Sequence, residues 1–162
     1  MVMSACPGCG TVLEECEGPV HRYMESSPAC WAVYGLVLTR EYSGPSYFSA
    51  HKYTVDSYAV QHPGHPSPQT IQSVAVHLIR LCLMLEHGIG NDRGGEAIRA
   101  AAKGTYFWLT PPASLGRMTV ADLKDASDAA AHGAYAKAWA ESAWSAWSAH
   151  HDQIRRWLPR DF

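Results

Sequence analysis

Val74-Ala75-Val76-His77-Leu78-Ile79-Arg80-Leu81-Cys82-Leu83-Met84-Leu85 is the most apolar run of the chain. It sits inside a longer segment, from about Pro68 to Gly88, that is apolar over most of a helical circumference. Such a pattern predicts a central, buried helix. His77 and Arg80 interrupt the run, and it is too short to cross a bilayer. Helical signals recur on both sides of it, and no run of alternating strands does, so the fold expected is all-α, a single-domain helical bundle.

N-terminal to this helix the pattern continues. Ser26-Ser27-Pro28 reads as a serine cap with proline in the first turn, opening a helix to about Tyr42 that Ser43-Gly44-Pro45 stops. A second helix is predicted from Ser46 to Gln61, ended by His62-Pro63-Gly64-His65-Pro66, because proline disfavours a helical residue before it. On the C-terminal side, Asn91–Lys103 reads as a shorter helix weakened by Gly94-Gly95, and Tyr106–Leu109 as a short strand or apolar loop. Thr119-Val120-Ala121-Asp122 is a variant capping box. A last helix is expected over about Gly133–Leu158, with Tyr135, Trp139, Ala143, Ala146, His150, Ile154 and Trp157 as its apolar stripe. Residues 1–25 read as a compact loop region, so the chain is one domain, 1–162, with a small zinc-knuckle-like appendage on a helical core from 26 onward.

With 162 residues, 47% hydrophobic and 17% charged, the chain is long and apolar enough to bury a core. A formal net charge of -2 with scattered Lys and Arg gives no basic stripe for nucleic acid. No charged n-region precedes an apolar run, so no secretory leader and no membrane segment is expected. The five cysteines are odd in number and two are paired in a knuckle, which fits a reducing cytoplasm and a metal site better than a disulfide framework.

That knuckle is Cys6-Pro7-Gly8-Cys9-Gly10. Two thiols with this spacing converge on one cation, and Zn²⁺ takes four tetrahedral ligands, so two more must come from elsewhere. A redox role for the pair is less well supported, since no βαβ pattern surrounds it. Zinc is the expected metal, with iron as the alternative. Cys30, in the first turn of the first helix, is the expected third ligand, because a helix N-terminus favours the thiolate. His21 is the expected fourth, ahead of Cys16. A histidine from the second helix is the other option, and it would merge the knuckle with the histidines described next. Cys82 reads as a small core residue.

On the second helix His51, Val55, Tyr58 and His62 share one face at helical spacing. If the second and third helices pack antiparallel, His77 can approach that face, and three imidazoles plus water would match an open catalytic zinc or iron site. In that reading His51, His62 and His77 are ligands or acid–base groups, and Asp56 and Tyr58 position a small-molecule substrate or move protons. The competing reading takes each histidine as a satisfied core residue and the zinc as structural. The function would then lie in a binding or adaptor surface, with Trp144 and Trp147, off the main stripe of the last helix, marking a partner face or homodimer seam. His62 and His65 flank a Pro-Gly turn at a spacing suited to shared ligation. No Gly-rich phosphate loop and no Gly-x-Ser-x-Gly is present.

Several stretches taken together resemble a known family: Cys6–Gly10, Ser27-Pro28-Ala29-Cys30-Trp31, Arg40-Glu41-Tyr42, His51 through Thr54-Val55-Asp56, Tyr58–Gly64 and Gln72–Leu78. They resemble the uncharacterised bacterial family DUF5946 over nearly the whole chain. The resemblance implies a single bacterial domain and supplies no activity.

Overall fold

The computed structural model describes residues 1–162, Asn91 by its backbone alone. The chain opens with an antiparallel ribbon of β1 (Met3–Ala5) and β2 (Val12–Glu14), Ser4 opposite Leu13. The turn between them is the Cys6–Gly10 knuckle. Cys6 N–H reaches the Thr11 carbonyl at 2.8 Å, Gly10 N–H reaches the Cys6 carbonyl at 2.9 Å, and Gly10 takes the left-handed φ of 78° that the turn requires. The loop expected over residues 1–25 therefore contains a two-stranded ribbon. Its strands are three residues each, too short for alternation to show in the sequence.

The rest of the chain is helical. Helix α1 (Pro28–Glu41) starts where the Ser27 hydroxyl accepts the Cys30 N–H, 3.1 Å away. The helix predicted over Ser46–Gln61 is split into α2 (Pro45–Phe48) and α3 (His51–Gln61). At the break the Ser49 hydroxyl donates to the Ser46 carbonyl, and Ala50 N–H donates three residues back, to the Tyr47 carbonyl, tightening the chain for one turn. Helix α4 (Pro68–Glu86) carries a reciprocal Ser67–Thr70 cap and ends at Gly88, whose φ of 65° lets Ile89 N–H turn back to the Leu83 carbonyl. Helix α5 (Asn91–Ala101) follows, and Tyr106–Leu109 is loop.

Helix α6 (Val120–Lys124) opens on the Thr119–Asp122 capping box. The long terminal helix expected from Gly133 instead begins at Ala129, on an Asp128 cap, as α7 (Ala129–Ala146). It breaks at Trp147, and a 3-10 turn (Ser148–His150) leads to α8 (His151–Arg156). The His151 ring explains the break. It stacks on Trp144 at 3.8 Å and its Nε2 is 2.8 Å from the Trp144 carbonyl, a group that a continuing helix would have used itself.

Two apolar clusters make the core. One joins α4 (Leu78, Ile79, Leu81) to Val60, Ala143, Trp147 and Ile154; the other joins Cys30, Val37 and Tyr58 to Leu123, Ala136 and Trp139. Helix α3 stands between them, packed chiefly on α4 and α7, and buries every residue from Asp56 to Gln61. It is nonetheless polar. Its buried polar groups are paired: Ser57 donates to the Tyr53 carbonyl one turn back, and the Gln61 amide accepts the Trp139 indole N–H (2.8 Å) and donates to the carbonyls of Leu115 (2.9 Å) and Met118 (2.7 Å). Trp144 and Trp147 are both buried, and the Trp147 indole donates to the Val60 carbonyl, so neither offers the exposed aromatic face expected of them. Among the described residues no helix is long and apolar enough to cross a membrane.

Candidate metal centre

Three separate pieces of chain bring four ligand atoms together. The knuckle supplies Cys6 and Cys9, the first turn of α1 supplies Cys30, and the C-cap of α3 supplies His62. Their ligand atoms all lie within 4.8 Å of one another. His62 Nε2 is 3.5 Å from both Cys6 Sγ and Cys30 Sγ, and the Cys9 and Cys30 sulfurs are 3.8 Å apart. A tetrahedron with Zn–S of about 2.3 Å and Zn–N of about 2.05 Å places sulfurs about 3.8 Å apart and S···N at about 3.6 Å. The donors therefore stand at the spacing such an ion needs.

The surroundings orient each donor. His62 Nδ1–H donates to the Tyr58 carbonyl at 2.7 Å, which leaves the Nε2 lone pair facing the sulfurs. The Tyr58 ring stacks on His62 with centroids 3.9 Å apart, and its hydroxyl reaches Cys30 Sγ at 3.5 Å. Ser27 N–H donates to Cys6 Sγ. Gly8 is required at the knuckle's tip, because a Cβ there would collide with the Glu25 carbonyl and the His62 ring. Cys6, Cys30 and His62 are buried and Cys9 half-buried, so the cluster is closed over.

The thiols are strongly coupled. Hydrogen bonds from Cys30, then Cys9, pull Cys6 far below the ordinary thiol range. The same contacts with Cys6 and Cys9, and then burial, push Cys30 far up. The Cys30 contact lowers Cys9, but its bond with Cys6 and burial outweigh that and hold it up at about 12. Crowded in this way, the sulfurs favour one thiolate among themselves; a cation is what would let all three ionise.

His21, expected as fourth ligand, is turned away. Its Nδ1 accepts the backbone N–H groups of Tyr23 (3.3 Å) and Met24 (3.2 Å), and its ring meets Tyr23 and Trp31 edge-on. The histidine on this centre is His62. Cys16 is exposed and Cys82 lies in the core. A second group of possible ligands, Cys82, Glu86 and His87, has its carboxylate already engaged by the Arg155 guanidinium at 2.8 and 3.0 Å.

The other histidines do not converge. His51, at the start of α3, is 3.0 Å from buried Glu41, whose carboxylate also takes Thr54 (2.5 Å) and His132 (2.8 Å). His77, on α4, is 2.7 Å from Asp56, which also holds Arg80 Nε at 2.7 Å. His65 is largely exposed, 3.7 Å from Glu25. Among the described residues no group of three close ligand atoms contains His51 or His77, so a site with three imidazoles is not assembled. Of the five candidates for catalysis, His62 and Tyr58 are at the thiol cluster, Asp56 and His77 form a separate pair, and His51 joins Glu41. Sequence reasoning missed Glu41, Arg80 and His132. A charged residue on the inner face of a helix was their signal, weak because a long-range partner has to be known first.

Comparison with known proteins places this chain among relatives without an assigned activity. No curated protein and no solved structure matches it. A family model described as a family of unknown function, DUF5946, matches residues 4–148, a span that contains all four donors of the centre and the Glu41 and Asp56 clusters, and the chain belongs to that family.

Proposed function

We propose that this protein binds one zinc ion through Cys6, Cys9, Cys30 and His62, and that the centre is structural, fastening the N-terminal ribbon to α1 and α3. The observation that carries this reading is the four-donor cluster at tetrahedral spacing, its imidazole oriented by Tyr58. Three sulfurs and one imidazole suit zinc, with iron the runner-up for so thiolate-rich a set. A site with four protein ligands leaves no open position for substrate, which favours a structural over a catalytic role. The protein would then serve as a binding or adaptor module.

Metal analysis of purified protein tests this. One equivalent of zinc per chain is expected, lost in Cys6→Ala together with the native fold and retained in His51→Ala. Metal content untouched by Cys6→Ala would remove the proposal.

An enzymatic reading draws on a different observation. Buried Asp56 takes His77 Nδ1, and His77 lines a shallow groove with Tyr23 and Gln72. A carboxylate that orients an imidazole in this way is the arrangement of a general base. Nitrogen-15 NMR of His77 should find the Nδ1–H tautomer; a proton on Nε2 instead would end that reading.

A further inference from the structure

At the end of α3 away from the thiols lies a cavity of about 300 Å³ between α3, α4 and the start of α5. His51 and His62 are eleven residues apart, so by helical rise it is about 16 Å from the metal centre. Its polar lining is Arg80, Lys52 and the His51 ring, the first two cationic. None of the described lining residues carries a carboxylate, although that of Asp92 stands beside Gly90 at the rim. Its apolar walls are Phe48, stacked on His51 at 5.0 Å and nearly parallel, and Met84.

Arg80 is held in a way that suits a ligand. Its Nε is fixed to Asp56 Oδ2 at 2.7 Å, and Asp56 is completely buried, so the guanidinium cannot swing. Among the described residues its terminal nitrogens have no hydrogen-bond partner, and this is the half of the fork that grips an oxyanion in two-point contact. Gly94 is on the cavity wall, and a Cβ there would meet nothing within 4 Å, so a larger side chain fits at this position. The buried carboxylates behind the wall are already engaged, Glu41 by His51, Thr54 and His132, and Asp56 by His77 and Arg80.

We propose that this cavity binds a small organic oxyanion, with the anionic group on Arg80 and Lys52 and a flat apolar body against Phe48 and Met84. The volume matches a compact metabolite-sized ligand, and a fixed guanidinium beside an aromatic face is the usual combination for such a molecule. The site is independent of the metal centre.

Titration calorimetry on the metal-loaded 162-residue chain tests it, with phenyl phosphate and benzoate as oxyanions and phenol as the neutral control. Saturable binding of at least one oxyanion is expected, about 10-fold or more tighter than phenol. The tighter of the two identifies the oxyanion preferred. Arg80→Gln strands buried Asp56 and can unfold the protein, so two other variants carry the test. Lys52→Gln should weaken binding about 3-fold to 10-fold. Gly94→Glu projects a carboxylate into open space, on a helix where glutamate is a better former than glycine, and should abolish binding with the helical circular dichroism unchanged. Absence of saturable binding of either oxyanion up to about 10 mM, phenol binding as tightly, or isotherms unaffected by both variants would each overturn the proposal.

Discussion

His62 is held by Tyr58 twice, through its Nδ1–H on the Tyr58 carbonyl at 2.7 Å and through ring stacking at 3.9 Å. One turn of α3 therefore sets both the tautomer and the plane of the imidazole that faces three sulfurs. The residue four positions earlier is as much a part of the cluster as His62 itself.

The first prediction concerns ligand identity. His62→Ala should lose the metal and cost about 4 kcal/mol or more, the stabilisation expected from an ion present at about a thousand times its dissociation constant. His62→Cys should retain metal, since a fourth thiolate is an equally common donor. His21→Ala should keep the full metal content and lose only about 1 kcal/mol, because two backbone N–H groups lose their acceptor. Metal analysis with urea unfolding checks all three.

Thiol counting offers an independent check. Cys16 is exposed, whereas Cys82 is fully buried and pushed up to about 12, first by burial and then by the Glu86 charge. Native, metal-loaded protein should therefore show one fast-reacting thiol toward a disulfide reagent, at Cys16. Chelation should expose the thiols of Cys6, Cys9 and Cys30 as well. Four fast thiols before chelation would contradict a loaded centre.

Glu41 is the other test of burial. It is fully buried on α1 and takes donors from His51 and Thr54 on α3 and from His132 on α7. Glu41→Ala leaves His51 and buried His132 without this acceptor and Thr54 with only the Ala50 carbonyl, and should destabilise by about 3–5 kcal/mol. Glu41→Gln keeps an acceptor oxygen and should cost less. Urea unfolding of metal-loaded protein measures both, and equal values would mean that a neutral acceptor oxygen contributes nothing in place of the carboxylate.

A pH dependence follows from Glu86. The Arg155 guanidinium, in two-point contact, holds its carboxyl down at about 2, from an ordinary 4.5. The folded protein thus binds this proton more weakly than the unfolded chain. The pair contributes fully above the unfolded value near 4.5, and the contribution fades as pH falls toward 2. An NMR titration of Glu86 in Arg155→Ala should return it to the ordinary carboxylate range. The pair is partly exposed, so the stability change should be small and screened by salt. An unchanged midpoint would show that Arg155 is not the cause.

What could be read from the chain followed from local chemistry. Ser27 and Pro28 announce α1, Cys30 follows in its first turn, and the Cys6–Cys9 spacing announces a half-site; all are decided within a few residues. The choice between His21 and His62 was not legible in that way. It depends on where the end of α3 lies relative to the knuckle, and α3 is placed by contacts such as Gln61 to Trp139, 78 residues apart. Its polar sequence hid its central position, because burial of Asp56 and Gln61 is tolerable only once those distant partners exist. The breaks at Ser49 and Trp147 were equally hidden. No glycine or proline marks them; a serine hydroxyl and a stacked histidine do the work.

The ring of chain closed between Cys6 and His62 has a consequence for biosynthesis. These two donors are 56 residues apart, so a nascent polypeptide that has delivered only the first thirty residues holds three of the four donors of the proposed centre, Cys6, Cys9 and Cys30, and lacks His62. Full coordination must wait until α3 has emerged and docked. By the loop-entropy relation for a cross-link, sealing a circuit of that size restrains the unfolded chain by about 4 kcal/mol. Occupancy of the centre would thus act as a late latch, and the amount of metal a cell retains in this protein would report how many copies have finished folding.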